Sequence, residues 1–179
     1  MNILIYYPSI LPTSIFDDTS RVVVDLGTAL SELGHHIWWL SHEKSIFRVG
    51  THIPYNENEY INDQIPAEID VVHYHQHTAE TPSKPHVITL HSDTLYGDVL
   101  NANTVFVSRE QASRFGSDMV IYNGLDWDSV PTPNLSVKRE RFHTINKHHS
   151  NLRGAIKVTS LADQKIDIIE DSPLTIMDR

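Results

Sequence analysis

Short apolar runs alternate with a clear amphipathic stretch along the first two thirds of the chain. Residues 2–8 form an almost continuous apolar run ending in a proline loop, which is typical of a strand buried on both faces of a parallel sheet. Between Thr19 and Leu33 apolar residues recur at helical spacing, and Gly34 follows where a helix cap is expected. Further β-branched runs predict strands at residues 36–40, 48–55, 69–75, 86–91, 104–108 and 118–122, with a short helix over 109–115. We therefore predict an α/β fold built on a doubly wound parallel sheet.

The pattern changes after residue 127. Pro131, Thr132 and Pro133 form a linker signal, and the stretch from 138 to 149 is basic and rich in histidine. Beyond it, residues 141–145, 151–162 and 165–169 predict a strand, a helix and a strand. We therefore predict one domain over residues 1–131, then a linker and a single βαβ unit over 132–179. A unit this small buries little surface alone, so we expect it to pack on the first domain, pair with another copy or stay loosely ordered.

Composition excludes several classes of protein. The 179 residues carry 14 Lys and Arg against 23 Asp and Glu, a net charge of −9, and the basic residues are scattered, which argues against a nucleic-acid partner. The chain has no cysteine, so disulfides, thiolate nucleophiles and cysteine zinc sites are excluded. No apolar run approaches the roughly 20 residues of a membrane span, and the start lacks the features of a signal peptide. We expect a cytoplasmic protein without a membrane span.

Common nucleotide and nucleophile motifs are missing. The seven glycines form neither a phosphate-binding P-loop nor the glycine fingerprint of dinucleotide sites. Gly116 and Ser117 lack the flanking glycines of a hydrolase nucleophile elbow. A nucleotide-dependent enzyme working alone, or a Ser-His-Asp hydrolase, therefore has little support.

Six short motifs follow one another along residues 1–131. They read MNILIYYP, LSELGHHIWWL, IDVVHYHQH, KPHVITLH, TVFVSREQASRFG and MVIYNGLDWDSV. Together they resemble the amino-terminal, acceptor-side domain of the retaining glycosyltransferases of family four. That family has a Gly-His pair before its second strand, a threonine-x-histidine, and an Asn-Gly-x-Asp at the domain hinge. The resemblance covers residues 1–131 and implies one Rossmann-like half of a GT-B fold, in which two such domains face each other across a cleft.

The resemblance also points to individual residues. His91 ends a predicted strand, where open α/β sheets bind ligands, and the family makes it the candidate catalytic contact to a substrate sugar. Ser108 and Arg109 open the next helix on the cleft side, while Asn123 and Gly124 match the hinge, so all four are candidate substrate contacts. Simpler alternatives are a backbone-bonded His91, a helix cap at Ser108, a surface arginine and a turn at Asn123.

The first loop departs from the family pattern. Asp17 and Asp18 stand where the family usually carries two glycines that open backbone amides to the substrate. Two carboxylates would repel a nucleotide diphosphate. They suit helix capping or binding of sugar hydroxyls, so both are candidate substrate-binding residues.

His73, His75 and His77 alternate at the end of a predicted strand. A continuing strand would place all three on one face, as a zinc site requires. Against zinc, the family often has histidines here without metal, no carboxylate is clearly placed to support them, and a chain with 12 histidines forms such clusters by composition. We expect no metal, and we keep His75 as a candidate substrate-binding residue.

Residues 142–171 resemble a degenerate form of the first βαβ unit in the family's second, donor-side domain. Ala155 and Ile156 match, but Thr144 and Ile145 stand where a Gly-Arg pair belongs, which removes a phosphate-contacting arginine. The family's glutamate pair, which holds the nucleotide-sugar, has no counterpart before Arg179. We therefore expect a truncated second domain and no resident cofactor, with a nucleotide-sugar as a donor substrate.

Two functions lead, and a third, an enzyme with a metal held by the histidines at 73, 75 and 77, stays open to metal analysis. The first is the acceptor-side half of a glycosyltransferase, which binds a sugar or glycan acceptor and needs a donor-domain protein or a second copy of itself. The alternative is a glycosyltransferase-like binding or regulatory module without catalysis.

Overall fold

The computed structural model describes residues 1–12, 18–94, 99–129, 132, 134, 136, 141–146 and 151–170. The chain divides into two compact units, Met1–Trp127 and Asp128–Arg179. No helix of the described residues is long and apolar enough to cross a membrane.

The first unit is built on one six-stranded parallel sheet. Its elements are β1 (Asn2–Tyr7), α1 (Asp18–Glu32), β2 (His36–Ser41), β3 (Thr51–Pro54), a 3-10 helix (Ile61–Gln64), β4 (Val71–Tyr74), β5 (His86–Leu90), β6 (Thr104–Phe106) and α2 (Arg109–Arg114). The strand order is β3-β2-β1-β4-β5-β6, and every neighbouring pair is parallel. The predicted Rossmann-like, doubly wound α/β sheet is confirmed.

The predicted strand at residues 118–122 is wrong. Only Val120 pairs with the sheet, through an isolated parallel bridge to Phe106, while Met119 and Ile121 are 54 and 67% exposed. The edge strand β6 is three residues long and therefore offers little backbone for a further ladder. The β-branched composition of residues 118–122 favours a strand, but the edge strand β6 pairs with only one of these residues.

Both faces of the sheet are buried, as the continuous apolar strands predict. One face carries a core that includes Leu4, Tyr6 and Tyr74, and the other carries Ile5 and Trp39 beneath α1. A side chain at Gly27 of α1 would collide with the Trp39 indole, so the glycine permits the close approach of helix and sheet. This close packing fixes the sheet from which the candidate site projects.

The second unit contains the predicted βαβ. Strand β7 (Arg141–Asn146) pairs in parallel with β8 (Lys165–Glu170), and α3 (Leu152–Leu161) connects them. The side chain of Asn151 caps α3 by accepting a hydrogen bond from the Gly154 amide at 3.0 Å. The three elements form a βαβ unit on a two-stranded parallel sheet.

Candidate functional site

The direction of strand addition defines a crevice in the first unit. From β1 the chain adds β2 and β3 on one side, then returns to add β4, β5 and β6 on the other. The carboxyl ends of β1 and β4 therefore form a topological switch point, where open α/β sheets bind ligands. His75 directly follows β4 at this point, and His91 directly follows the neighbouring strand β5.

The structure brings these two histidines into contact. His75 Nδ1 and His91 Nε2 share a hydrogen bond of 2.9 Å, and the rings lie 5.2 Å apart between centroids with 16° between their planes. His75 is only 2% exposed, and His91 is half-buried. One ring nitrogen must carry the shared proton while the other accepts it, so the tautomers of the two rings are linked.

His73 extends the contact into an array, which we define as His73, His75, His91 and Thr89. The His73 ring stacks on His75 with centroids 4.0 Å apart, and its Nε2 shares a 2.7 Å hydrogen bond with the Thr89 hydroxyl. The β4–β5 register aligns Tyr74 with Ile88. Because side chains alternate along a strand, the residues on either side of these two, which include the members of the array, lie on the opposite face of the sheet from Tyr74. This is the face that carries Ile5 beneath α1.

Burial keeps the inner two rings uncharged. Desolvation, followed by repulsion from His91, lowers the pKa of His73 to about 4. Desolvation, followed by repulsion from His73 and His91, holds the pKa of His75 well below its usual range. Near neutral pH both rings are therefore neutral hydrogen-bonding groups.

The array contains a buried ring nitrogen that makes no hydrogen bond to the described residues. Among the described residues nothing hydrogen-bonds to His75 Nε2, although the atom is buried. A buried polar atom left unsatisfied costs about 1–3 kcal/mol, and such atoms in folded proteins call for an explanation such as an ion or a ligand. In His91, Nε2 bonds to His75, and Nδ1 is buried like His75 Nε2.

Zinc finds no support in the described part of the chain. Within it, no group of three His, Asp or Glu side chains is arranged to hold a metal ion. His73 and His75 stack on each other rather than converging on a common point.

The remaining candidates lie outside the array. Ser108 caps α2, because its hydroxyl accepts a hydrogen bond from the Gln111 amide at 3.1 Å. Arg109 is exposed and lines a shallow pocket of about 400 Å³ with Asp118 and Tyr122, among other residues. The arginine thus faces an open pocket, whereas the serine has a structural partner.

The hinge candidates and Asp18 are also exposed. Asn123 and Gly124 form neither the expected turn nor a regular element, and the space around Gly124 is open. Asp18 is the exposed first residue of α1, where a carboxylate favours the helix dipole. Asp17 lies outside the described residues.

The sequence analysis identified neither Thr89 nor the cluster of tyrosine rings on the opposite face of the sheet. Thr89 lies two residues before His91, so strand alternation alone could have placed both on one face. On the other face the Tyr6 ring packs against Tyr55 and Tyr74 with centroids 5.3 and 5.6 Å apart. Burial raises the pKa of Tyr74 to about 12 and also raises the pKa of Tyr6.

Glu80 ties the segment after β4 to the rest of the unit. Its carboxylate accepts hydrogen bonds from the amides of Ile61 and Asn62 at 2.8 and 3.2 Å, at the start of the 3-10 helix. A charged acceptor makes such bonds stronger than neutral ones. The segment that follows His75 is therefore anchored to the 3-10 helix.

Comparisons with known proteins support the fold. No family model matches the chain, and no curated protein matches it. Among solved structures it is similar to AviGT4, a glycosyltransferase involved in avilamycin A biosynthesis, with 19% identity and a TM-score of 0.59. The match covers 94% of this chain and 63% of the AviGT4 chain. The chain therefore has a glycosyltransferase-like α/β fold.

Proposed function

We propose that this chain is the acceptor-side half of a GT-B glycosyltransferase resembling the retaining enzymes of family four. The observation that carries the proposal is the fold similarity to a glycosyltransferase over 94% of the chain. The ordered motifs of residues 1–131 and the histidines at the switch point support it.

The array suits recognition of an acceptor sugar. Neutral imidazoles both donate and accept hydrogen bonds, as sugar hydroxyls do, so the two groups match without a charge. His75 and His91 stand on neighbouring strands at the crevice, and their mutual bond restricts the rings. In this function they would align one hydroxyl for attack on the donor sugar, because alignment lowers the barrier of a bimolecular transfer.

The phosphate side of the reaction needs a second contributor. In the second unit the Arg141 guanidinium pairs with the Asp167 carboxylate at 3.2 Å, and His143 lies 3.6 Å from the same carboxylate. Asp167 thus neutralises the cation that a donor phosphate would use. We therefore propose that a donor-side chain or a second copy of this chain stabilises the leaving nucleotide.

The Arg141–Asp167 ion pair favours one alternative. A binding or regulatory module of glycosyltransferase-like fold would keep the sugar site and have no use for a free phosphate-binding arginine. The two functions differ in transfer, since the module would bind a saccharide and never release nucleotide.

Calorimetry with a transfer assay tests the proposal. We would titrate the protein with methyl glycosides of glucose, galactose and mannose, and separately with UDP, GDP, UDP-glucose and GDP-mannose. The double variant His75→Phe, His91→Phe should lose glycoside binding, whereas His86→Phe should retain it. His86 begins the same strand β5 at the opposite edge, where it bonds to Asn101 at 3.1 Å.

The outcomes separate the functions. Glycoside binding together with nucleotide release, alone or with a candidate donor-side chain, would support the transferase half. Glycoside binding with no release under any combination would favour the module. Absence of binding by every glycoside would refute both.

A further inference from the structure

We propose that Asn123 is a site of spontaneous modification, at which the chain converts an asparagine into aspartate and isoaspartate without an enzyme. Three observations carry the proposal: the residue that follows Asn123, the lack of bonds to its side chain, and the open backbone around it. The inference does not depend on the proposed function, because it concerns the chemistry of the chain itself.

The first observation is the residue that follows Asn123. Loss of the side-chain amide begins when the backbone nitrogen of the next residue reaches the side-chain carbonyl carbon. Gly124 has no Cβ, so its backbone adopts more conformations than that of other residues, and no side chain shields its nitrogen. Of the asparagines in the sequence, Asn123 alone precedes a glycine.

The second observation is the side chain of Asn123. It is exposed, and in the described part of the chain it makes no hydrogen bond. Every other asparagine side chain that the structure describes has a hydrogen-bond partner; these are Asn2, Asn56, Asn58, Asn62, Asn101, Asn103, Asn134 and Asn151. An amide without such a bond is free to turn towards the backbone.

The third observation is the backbone. Ile121 is bonded to the edge of the sheet, because its amide donates to the Phe106 carbonyl at 2.9 Å. Asn123 and Gly124, by contrast, belong to no helix or strand, and a side chain at Gly124 would meet nothing within 4 Å. At these two described residues no ladder fixes the dihedral angles that the reaction must change.

The reaction balances with water as the one added reactant. The Gly124 nitrogen gives up its proton and attacks Cγ of Asn123, and the side-chain nitrogen leaves as ammonia, which closes a succinimide ring. Water then opens the ring in one of two ways. Breaking the new N–Cγ bond gives aspartate, and breaking the original N–C bond gives isoaspartate, in which the backbone runs through the side chain.

Both products change the segment that leads into the second unit, which begins at Asp128. Each adds one negative charge, two residues from Leu125 and close in sequence to Asp126, to a chain whose net charge is already −9. Isoaspartate also lengthens the backbone by one carbon. The charge and covalent structure of this connection therefore change with the age of the protein.

Mass spectrometry of protein incubated at neutral and at mildly alkaline pH tests the proposal. Each conversion raises the mass by about 1 Da, because ammonia is lost and water is gained, and fragmentation assigns the change to a residue. Labelling by an isoaspartyl methyltransferase reports the isoaspartate. We expect residue 123 to convert ahead of every other asparagine, and faster at alkaline pH, because base removes the proton of the attacking nitrogen.

Two variants separate the sequence from the structure. Gly124→Ala should slow the conversion at residue 123 severalfold, because a Cβ restricts the backbone. Ala102→Gly places a glycine after Asn101, whose side-chain oxygen accepts a hydrogen bond from the Asn103 amide at 2.8 Å and lies 3.1 Å from His86 Nε2. This held asparagine should convert several times more slowly than residue 123 in the same molecule.

Three results would overturn the proposal. One is an Asn123 that stays intact while a synthetic peptide of residues 118–128 converts under the same conditions, because the fold would then protect the residue. Another is equal conversion in wild type and Gly124→Ala, or a mass gain without isoaspartate, since either excludes the succinimide. The last is equal rates at residues 101 and 123 in Ala102→Gly, because the sequence alone would then set the rate.

Discussion

Acid should destabilise the first unit through the buried histidines. His73 has a pKa of about 4 in the folded chain against an ordinary value near 6.5, because burial and His91 oppose its charge. Between these two values the unfolded chain binds a proton that the folded chain does not. Stability therefore falls as pH drops below about 6.5 and stops falling from this cause near pH 4.

The size of the effect follows from the two pKa values of His73. Their difference corresponds to about 3 kcal/mol in total, of which roughly 2.5 kcal/mol is lost by pH 4.5. The lowered pKa of His75 acts in the same direction. No loss from this source is expected above about pH 6.5, because His73 is neutral there in both states.

Urea unfolding of wild type and His73→Gln from pH 7.5 to pH 4.5 measures this effect, with Trp38 and Trp39 fluorescence reporting on the first unit. The variant loses the packing of the imidazole ring at all pH values, but its glutamine does not titrate. Its stability deficit relative to wild type should therefore shrink by roughly 2 kcal/mol towards pH 4.5. Carboxylates cancel in this difference, and His86→Gln provides the same substitution outside the array. A deficit that is independent of pH would refute the reasoning.

Three further results are expected. Gly27→Ala should destabilise the first unit by about 1–3 kcal/mol in urea unfolding because its methyl collides with Trp39, whereas Gly124→Ala, in open space, should change little. Ser108→Ala should cost about 1 kcal/mol in the same assay by removing the cap that accepts from Gln111, and an unchanged midpoint would contradict that role. If a second copy supplies the donor side, transfer should rise faster than linearly with protein concentration, and sedimentation should show dimers over the same range.

Burial explains why the strands could be predicted. Residues 2–8 are apolar on both faces because α1 covers one face of the sheet and the core cluster around Tyr6 covers the other. The strand could therefore be predicted from this run alone. Residues 118–122 have similar composition but lie beyond a three-residue edge strand. Their state depends on how much backbone the edge offers, which is a property of the assembled sheet.

The candidate site was only partly predictable for the same reason. Strand alternation places His73 and His75 on one face, and a strand end places His91 at the carboxyl edge. Their contact depends on β4 lying beside β5 in one particular register, which no local pattern encodes. Ser108 shows the reverse case, because its capping role depends only on residues within one helical turn.

The electrostatics of the array bear on what an acceptor-side half would bind. His73 and His75 lose their charge through burial, and the chain carries a net charge of −9, so this edge offers little attraction to a phosphate. A hydroxyl needs no charge and can donate to or accept from a neutral ring. Protonation of these rings at low pH would add positive charge here and should reverse the preference, with the loss of stability derived above. Under the proposed function, a neutral site of this kind would bind the acceptor hydroxyl and leave the donor phosphates to charged groups supplied elsewhere.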